Sequence, residues 1–271
     1  MNVSLAAEPL GHVGTFPVTN TLIVGWLIVL ALAGFALLVY RRMHSVPGRV
    51  QSAVELVIET FLYVAENVTG NTAQARRFFP IAATIFLFVL FSNWVEMVPG
   101  LGTIGFWHEP HAQTAPPAVA EQEPAVEAAE HETGAEKRVL VPFIRSTSAD
   151  LNFTLALAII SVLSVQIFGV ASLGFFQYSG KFINLRNPIH FFVGLLELLS
   201  EFAKVVSFSF RLFGNIFAGE VLLMVTLFLA PYLVPLPFLG LELFVGFIQA
   251  MIFAMLTLVF TKMAVTAHEH E

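Results

Sequence analysis

Ser207–Glu220 reads SFSFRLFGNIFAGE, and what surrounds it decides how the chain must be read. Apolar residues flank it on both sides, yet it carries an arginine, an asparagine and a glutamate. Pro188 opens a helical stretch that continues through this segment to Ala230, where PYLVPLP breaks the chain. A run this long and this apolar is a membrane span. The same composition extends outward: of 271 residues, 57% are hydrophobic and 12% are charged. A soluble domain of that length has no way to cover so much apolar surface.

Four further runs have the same character. The first spans about Thr21 to Tyr40 and ends in Arg41 and Arg42. It lacks a basic segment before it and is long enough to cross a bilayer, so it reads as a retained helix, not a cleaved signal. The second runs from about Phe78 to Val98, the third from Leu151 to Phe176, and the last from Phe238 to Val265. Between the first two, Val54, Val57, Ile58, Phe61 and Leu62 recur at helical spacing, with Glu55, Glu59 and Glu66 off the stripe. That pattern predicts an amphipathic helix over 50–70, lying at the interface, entering the bilayer at a tilt, or packed in a bundle. The expected fold is an all-α integral membrane protein of about five transmembrane helices plus this interfacial helix.

Residues 1–20 then form an external N-terminal segment, and 21–106 hold the first two spans. Residues 107–148 change composition to Ala, Pro and Glu. Such a segment buries too little to fold alone and is expected to be a solvated external loop. Its His108, His111 and His131 offer no fixed geometry for a metal. Residues 149–271 carry the remaining helices and a short tail.

Arg41, Arg42, Arg49, Arg76 and Arg77 lie between spans one and two, Lys181 and Arg186 follow span three, and Lys262 is near the end of the last. With five alternating spans all fall on one side, which the positive-inside rule makes cytoplasmic. The N-terminus and the acidic loop are then outside and the C-terminus inside. The net charge of −6 comes largely from one segment and suggests no nucleic-acid partner. The absence of cysteine excludes disulfides and thiolate metal sites. No cofactor motif and no phosphate-binding loop is present.

Charge at the centre of a bilayer costs about 2.5–3.5 kcal/mol per arginine on insertion scales, and such residues usually mark ion pathways. Glu197, Glu201, Lys204, Arg211 and Asn215 fall at offsets 0, 4, 7, 14 and 18 along the long helix. At about 100° per residue they lie within roughly 40° on either side of Glu197, on one face of the helix. An interfacial Glu201–Lys204 salt bridge accounts for the lower members as well as a functional role does. Arg211, two turns deeper, is poorly explained that way. Glu220 lies about 13 Å further along the axis, and Glu242 and Gln249 share a face of the last helix. An arginine stays protonated, so it repels cations and attracts a carboxylate but does not relay protons.

At this point SFSFRLFGNIFAGE, with ELFVGFIQAMIFAMLTLVF on the last helix, resembles subunit a of the rotary (F-type) ATP synthases. TSADLNFTLALA and FSNWVEMVPG support the resemblance, which covers most of the chain from Val46 onward. It implies that Arg211 faces the carboxylate of a rotating c-ring and seals two half-channels from one another. It implies an outer proton path at Glu220, Glu242, Asn215 and Gln249, and an inner path at Glu197, Glu201, Lys204 and Ser207. Both members of the outer pair are glutamates here, where some relatives have a histidine. The implied partners are the c-ring, peripheral-stalk b subunits, the rest of the complex and membrane lipid. The implied location is a bacterial inner membrane, ahead of an energy-transducing organelle. The last two spans are then expected to be long, tilted and curved against the ring. The alternative is an ion-coupled secondary transporter with an intramembrane polar site. That reading calls for paired broken helices in related halves, and the sequence has no such internal symmetry.

Overall fold

The computed structural model describes residues 9–13, 16–44, 47–97, 105–108, 139–142, 146–182, 188–230 and 233–266. Among these described residues, seven helices follow in order: α1 (Asn20–Arg41), α2 (Arg49–Thr69), α3 (Thr72–Glu96), α4 (Leu151–Leu173), α5 (Phe175–Ser179), α6 (Pro188–Leu229) and α7 (Pro235–Val265). Five of them, α1, α3, α4, α6 and α7, are long and apolar enough to cross a membrane. Two short antiparallel pairs add to the helical expectation: β1 (Pro9–Val13) with β2 (Phe16–Thr19), and β3 (Gly105–His108) with β4 (Val139–Pro142). The second pair stands at the two ends of the Ala/Pro/Glu-rich segment. Most of that expected loop, with His111 and His131, lies outside the described residues, as do Arg186 and residues 1–8 and 267–271.

Local chemistry sets the helix boundaries. Thr19 caps α1 by accepting from the Leu22 amide, Asn71 caps α3 through the Ala73 and Gln74 amides, and Asp150 caps α4 through that of Asn152. Each cap supplies an acceptor to an N–H that lacks an intrahelical partner. Gly70 ends α2 with φ 68°, a left-handed conformation that costs a glycine nothing.

Helix α7 is the hub and packs against α2, α3, α4 and α6; α6 lies along α4 and α7. The core between them is aromatic and small-residue packing: Phe208 stacks on Phe253 at 4.7 Å, and Phe61 meets Phe86 at 5.0 Å. Ala65, Ala158, Ala250 and Ala254 are wholly buried and let backbones approach. Helix α1 joins the bundle only through its first turns, from Asn20 to Ile28. The predicted stripe of α2 divides: Phe61 is buried against α3 while Val57 and Ile58 remain exposed. With 42 residues, α6 is about 63 Å long at 1.5 Å per residue. That is twice the hydrocarbon thickness of about 30 Å, so it must tilt steeply, bend or emerge from the bilayer.

One boundary differs from the sequence reading. Ser146, Thr147 and Ser148, the last described residues of the expected solvated loop, are buried. They form a 3-10 turn (Thr147–Ala149) that leads into α4. Ser146 Oγ donates to the Ser92 carbonyl at 3.1 Å and Ser148 Oγ to Asn93 Oδ1 at 2.7 Å. The polarity of Ser146 and Ser148 therefore signals burial with partners, not solvation.

Candidate functional site

The polar residues of α6 divide into three groups: one towards the start of the helix, one around Arg211 and one towards its end. In the first group, Glu197 meets Lys181, from the turn after α5, at 2.5 Å, and Glu201 accepts from Lys204 Nζ at 2.6 Å. The Lys204 ammonium also lies 4.6 Å from the centre of the Phe260 ring of α7, a cation–π contact. These residues, with Ser207 and Arg211, line one cleft of about 440 Å³ against Leu256, Phe260, Met263 and Ala264 of α7. The expected inner residues therefore do gather with Arg211. The Glu201–Lys204 salt bridge is real and is part of the same cleft.

Arg211 is half-buried at the head of the cleft, and its NH2 donates to Ser207 Oγ at 3.4 Å, a long bond. One turn further, Asn215 Nδ2 donates to Gln249 Oε1 at 2.7 Å. That bond ties α6 to α7 just beyond the arginine. Gln249 is itself buried, whereas Asn215 lies on an exposed face of α6.

At the third group, Glu242 of α7 reaches across to α6. A Cβ on Gly219 would lie 2.8 Å from Glu242 Cδ, so the carboxyl group rests directly on the backbone beside Glu220. Only glycine permits that approach. Glu220 and Glu242 lie within electrostatic reach of one another, and each keeps one carboxylate oxygen out of solvent.

A second polar system was not singled out by the charge stripe. Asn93 of α3 donates from Nδ2 to the Gly246 carbonyl at 3.2 Å and accepts from Ser148. Gly246 falls between Glu242 and Gln249 on α7, so α3 docks on the segment carrying both. Asp150 is buried; its Oδ2 accepts from Thr21 Oγ1 of α1 at 3.0 Å while Oδ1 caps α4. Thr154 pairs with Ser209 at 3.1 Å and Ser161 with Thr257 at 2.8 Å, pinning α4 to α6 and α7. The available signal was an asparagine and an aspartate at the edges of apolar runs.

Fold and side chains together define a polytopic α-helical membrane protein with paired charges and amides inside its bundle. A family model described as ATP synthase A chain matches residues 22–262. An ATP synthase subunit a of Gloeobacter violaceus is 31% identical over 92% of this chain and 85% of its own. One from Campylobacter jejuni is 32% identical over 90% and 88%, and one from Moorella thermoacetica 28% over 95% of each. The chain belongs to the ATP synthase A chain family. It is accordingly a stator subunit in the membrane sector of the ATP synthase complex.

Proposed function

We propose that this stator subunit forms two offset half-channels against a c-ring, and that Arg211 separates them. The observation that carries the reading is the arrangement along α6 and α7. A polar cleft ends at Arg211, an amide pair bonds the two helices just past it, and two carboxyl groups lie within electrostatic reach of each other beyond. Glu220 and Glu242 pass a proton inward from the outside, with Asn215 and Gln249 holding the last step before the ring. A ring carboxylate that takes this proton is neutral and enters lipid without the penalty of a buried charge. On its return it meets Arg211, ionises, and loses its proton into the cleft of Glu197, Glu201, Lys204 and Ser207.

The guanidinium does two things in this scheme. Being permanently charged, it blocks a continuous proton wire from outer to inner path. It also draws the ionised ring carboxylate forward, which gives rotation a direction. A potential of 100 mV supplies about 2.3 kcal/mol per charge, so several protons must pass for each ATP made. The basic residues support an orientation with the N-terminus and the acidic loop outside and the C-terminus cytoplasmic. The bacterial relatives support a bacterial inner membrane. The c-ring and peripheral-stalk b subunits are the partners this role requires.

The test replaces Arg211 in the complete complex reconstituted in vesicles. Arg211→Ala abolishes ATP-driven pumping while the complex assembles, and passive leak rises. Arg211→Lys keeps the charge, loses the planar fork, and is also severely impaired. Normal coupled pumping by Arg211→Ala overturns the assignment.

A further inference from the structure

A groove of about 830 Å³ runs between α4 and α6 and shares Glu201 with the cleft that holds Lys204. Its lining is apolar apart from two side chains, Gln166 of α4 and Glu201 of α6. Gln166 Nε2 and Glu201 Oε2 are both buried, and neither has a hydrogen-bond partner among the described residues. One is a donor and the other accepts only. Two complementary orphan atoms in one apolar groove are unlike random polarity, because a buried polar atom left without a partner carries an uncompensated desolvation cost.

The other end of the amide is held. Tyr178 of α5 donates from its hydroxyl to Gln166 Oε1 at 2.5 Å. Its ring packs against α4 at Gly169, where a Cβ would come within 2.8 Å of the tyrosine Cζ. Burial first, then the negative charges of Glu201 and Glu197, push the Tyr178 phenol up to about 12. It therefore keeps its proton and remains a donor at any working pH. A donor at Oε1 decides which way the amide faces, since the NH2 end must then point away from the phenol.

We infer that Gln166 and Tyr178 are positioning residues for Glu201: the tyrosine locks the amide so that its NH2 end, not its carbonyl, is presented to the carboxylate. A rotamer change, or one water that accepts from the amide and donates to Oε2, completes the link. Glu201 is then held from both sides, by Lys204 at Oε1 and by Gln166 at Oε2. The groups facing it are Lys204 and Glu197 of α6, Lys181 through Glu197, Tyr178 of α5 and Gln166 of α4. Phe260 of α7 backs the lysine. Release of a proton to the inner side thus depends on α4 and α5, which carry none of the charge stripe.

The inference rests on reading the cleft as the inner proton path, and the experiment separates the two. In the complete reconstituted complex, Tyr178→Phe keeps the ring on Gly169 and removes only the hydroxyl. Tyr178→Phe and Gln166→Leu each lower coupled flux about five- to ten-fold, as loss of one buried hydrogen bond implies. The double variant is no slower than Gln166→Leu alone, because the tyrosine acts through the amide. Both single variants displace the inner-side pH profile of flux equally and leave the outer-side profile in place. Gln166→Glu, which sets a carboxylate against Glu201, is slowest. Normal flux in Tyr178→Phe beside an impaired Glu201→Gln overturns this inference alone, as do losses that multiply in the double variant. Normal flux in Glu201→Gln removes the inner-path reading and this inference with it.

Discussion

Gly219→Ala offers a sharp separation of proton transfer from folding. The added Cβ would lie 2.8 Å from Glu242 Cδ. Non-bonded carbons settle at about 3.5–4.0 Å, so the carboxyl group must retreat by about 0.7 Å or more. It is the free end of a flexible side chain, and an off-rotamer torsion costs about 0.5–1.5 kcal/mol. Replacing a mid-helix glycine by alanine returns about 1 kcal/mol. The net change in stability is therefore close to zero. Transfer between the two carboxyl groups suffers more, since a misplacement of about 1 Å can cost on the order of a hundredfold when groups must be aligned. We expect ATP-driven acidification of vesicles to slow at least about tenfold in Gly219→Ala, with normal assembly and an unchanged melting temperature in detergent. Glu242→Asp shortens the side chain by one carbon–carbon bond, about 1.5 Å. It should slow the parent protein but partly restore the Gly219→Ala background. Parental flux in Gly219→Ala, or further loss in the double variant, would refute the seating of Glu242 on α6 as functional.

Other expectations concern the same elements. Glu220→Gln slows proton flow strongly and Glu242→Gln less, both without affecting assembly, as side-specific flux measurements would show. Cysteines at positions 220 and 242 of this naturally cysteine-free chain cross-link, and failure to do so would argue against the pair. Asp150→Ala removes both the α4 cap and the bond to Thr21, about 1 kcal/mol each, and lowers the melting temperature. Asp150→Asn keeps the acceptor oxygens' number at one and falls between Ala and the parent protein. Deleting Glu109–Glu136 leaves coupled pumping nearly intact; a complex that assembles but does not pump would assign that segment a role.

The helices themselves were legible without tertiary structure because their causes are local. A run of apolar residues long enough to span determines α1, α3, α4, α6 and α7 to within a few residues in most cases; α1, α3 and α4 start at a threonine, asparagine or aspartate cap, and α6 and α7 at a proline. The start of α3 is the largest miss, at Thr72 instead of Phe78: the polar first turn carries no hydropathy signal although Asn71 caps it. The charge stripe of α6 was also legible, since helical spacing alone puts Glu197, Glu201, Lys204, Arg211 and Asn215 on one face.

Which helix lies beside which was decided only by the tertiary structure, and lipid is the reason. In water, the apolar side of a helix marks its partner; in a bilayer the outward side is equally apolar, as exposed Phe176 and Phe228 illustrate. Periodicity then no longer distinguishes core from surface. Contacts such as Asn215 with Gln249, Asn93 with Gly246 and Glu242 with Gly219 join residues that no local rule connects. The same holds for Tyr178 on Gln166 and for Lys181, which counted in the sequence only as a charge setting orientation but closes on Glu197 in the fold. Ser146 and Ser148 read as loop because serine is polar, yet their hydroxyls are what allow that turn to be buried.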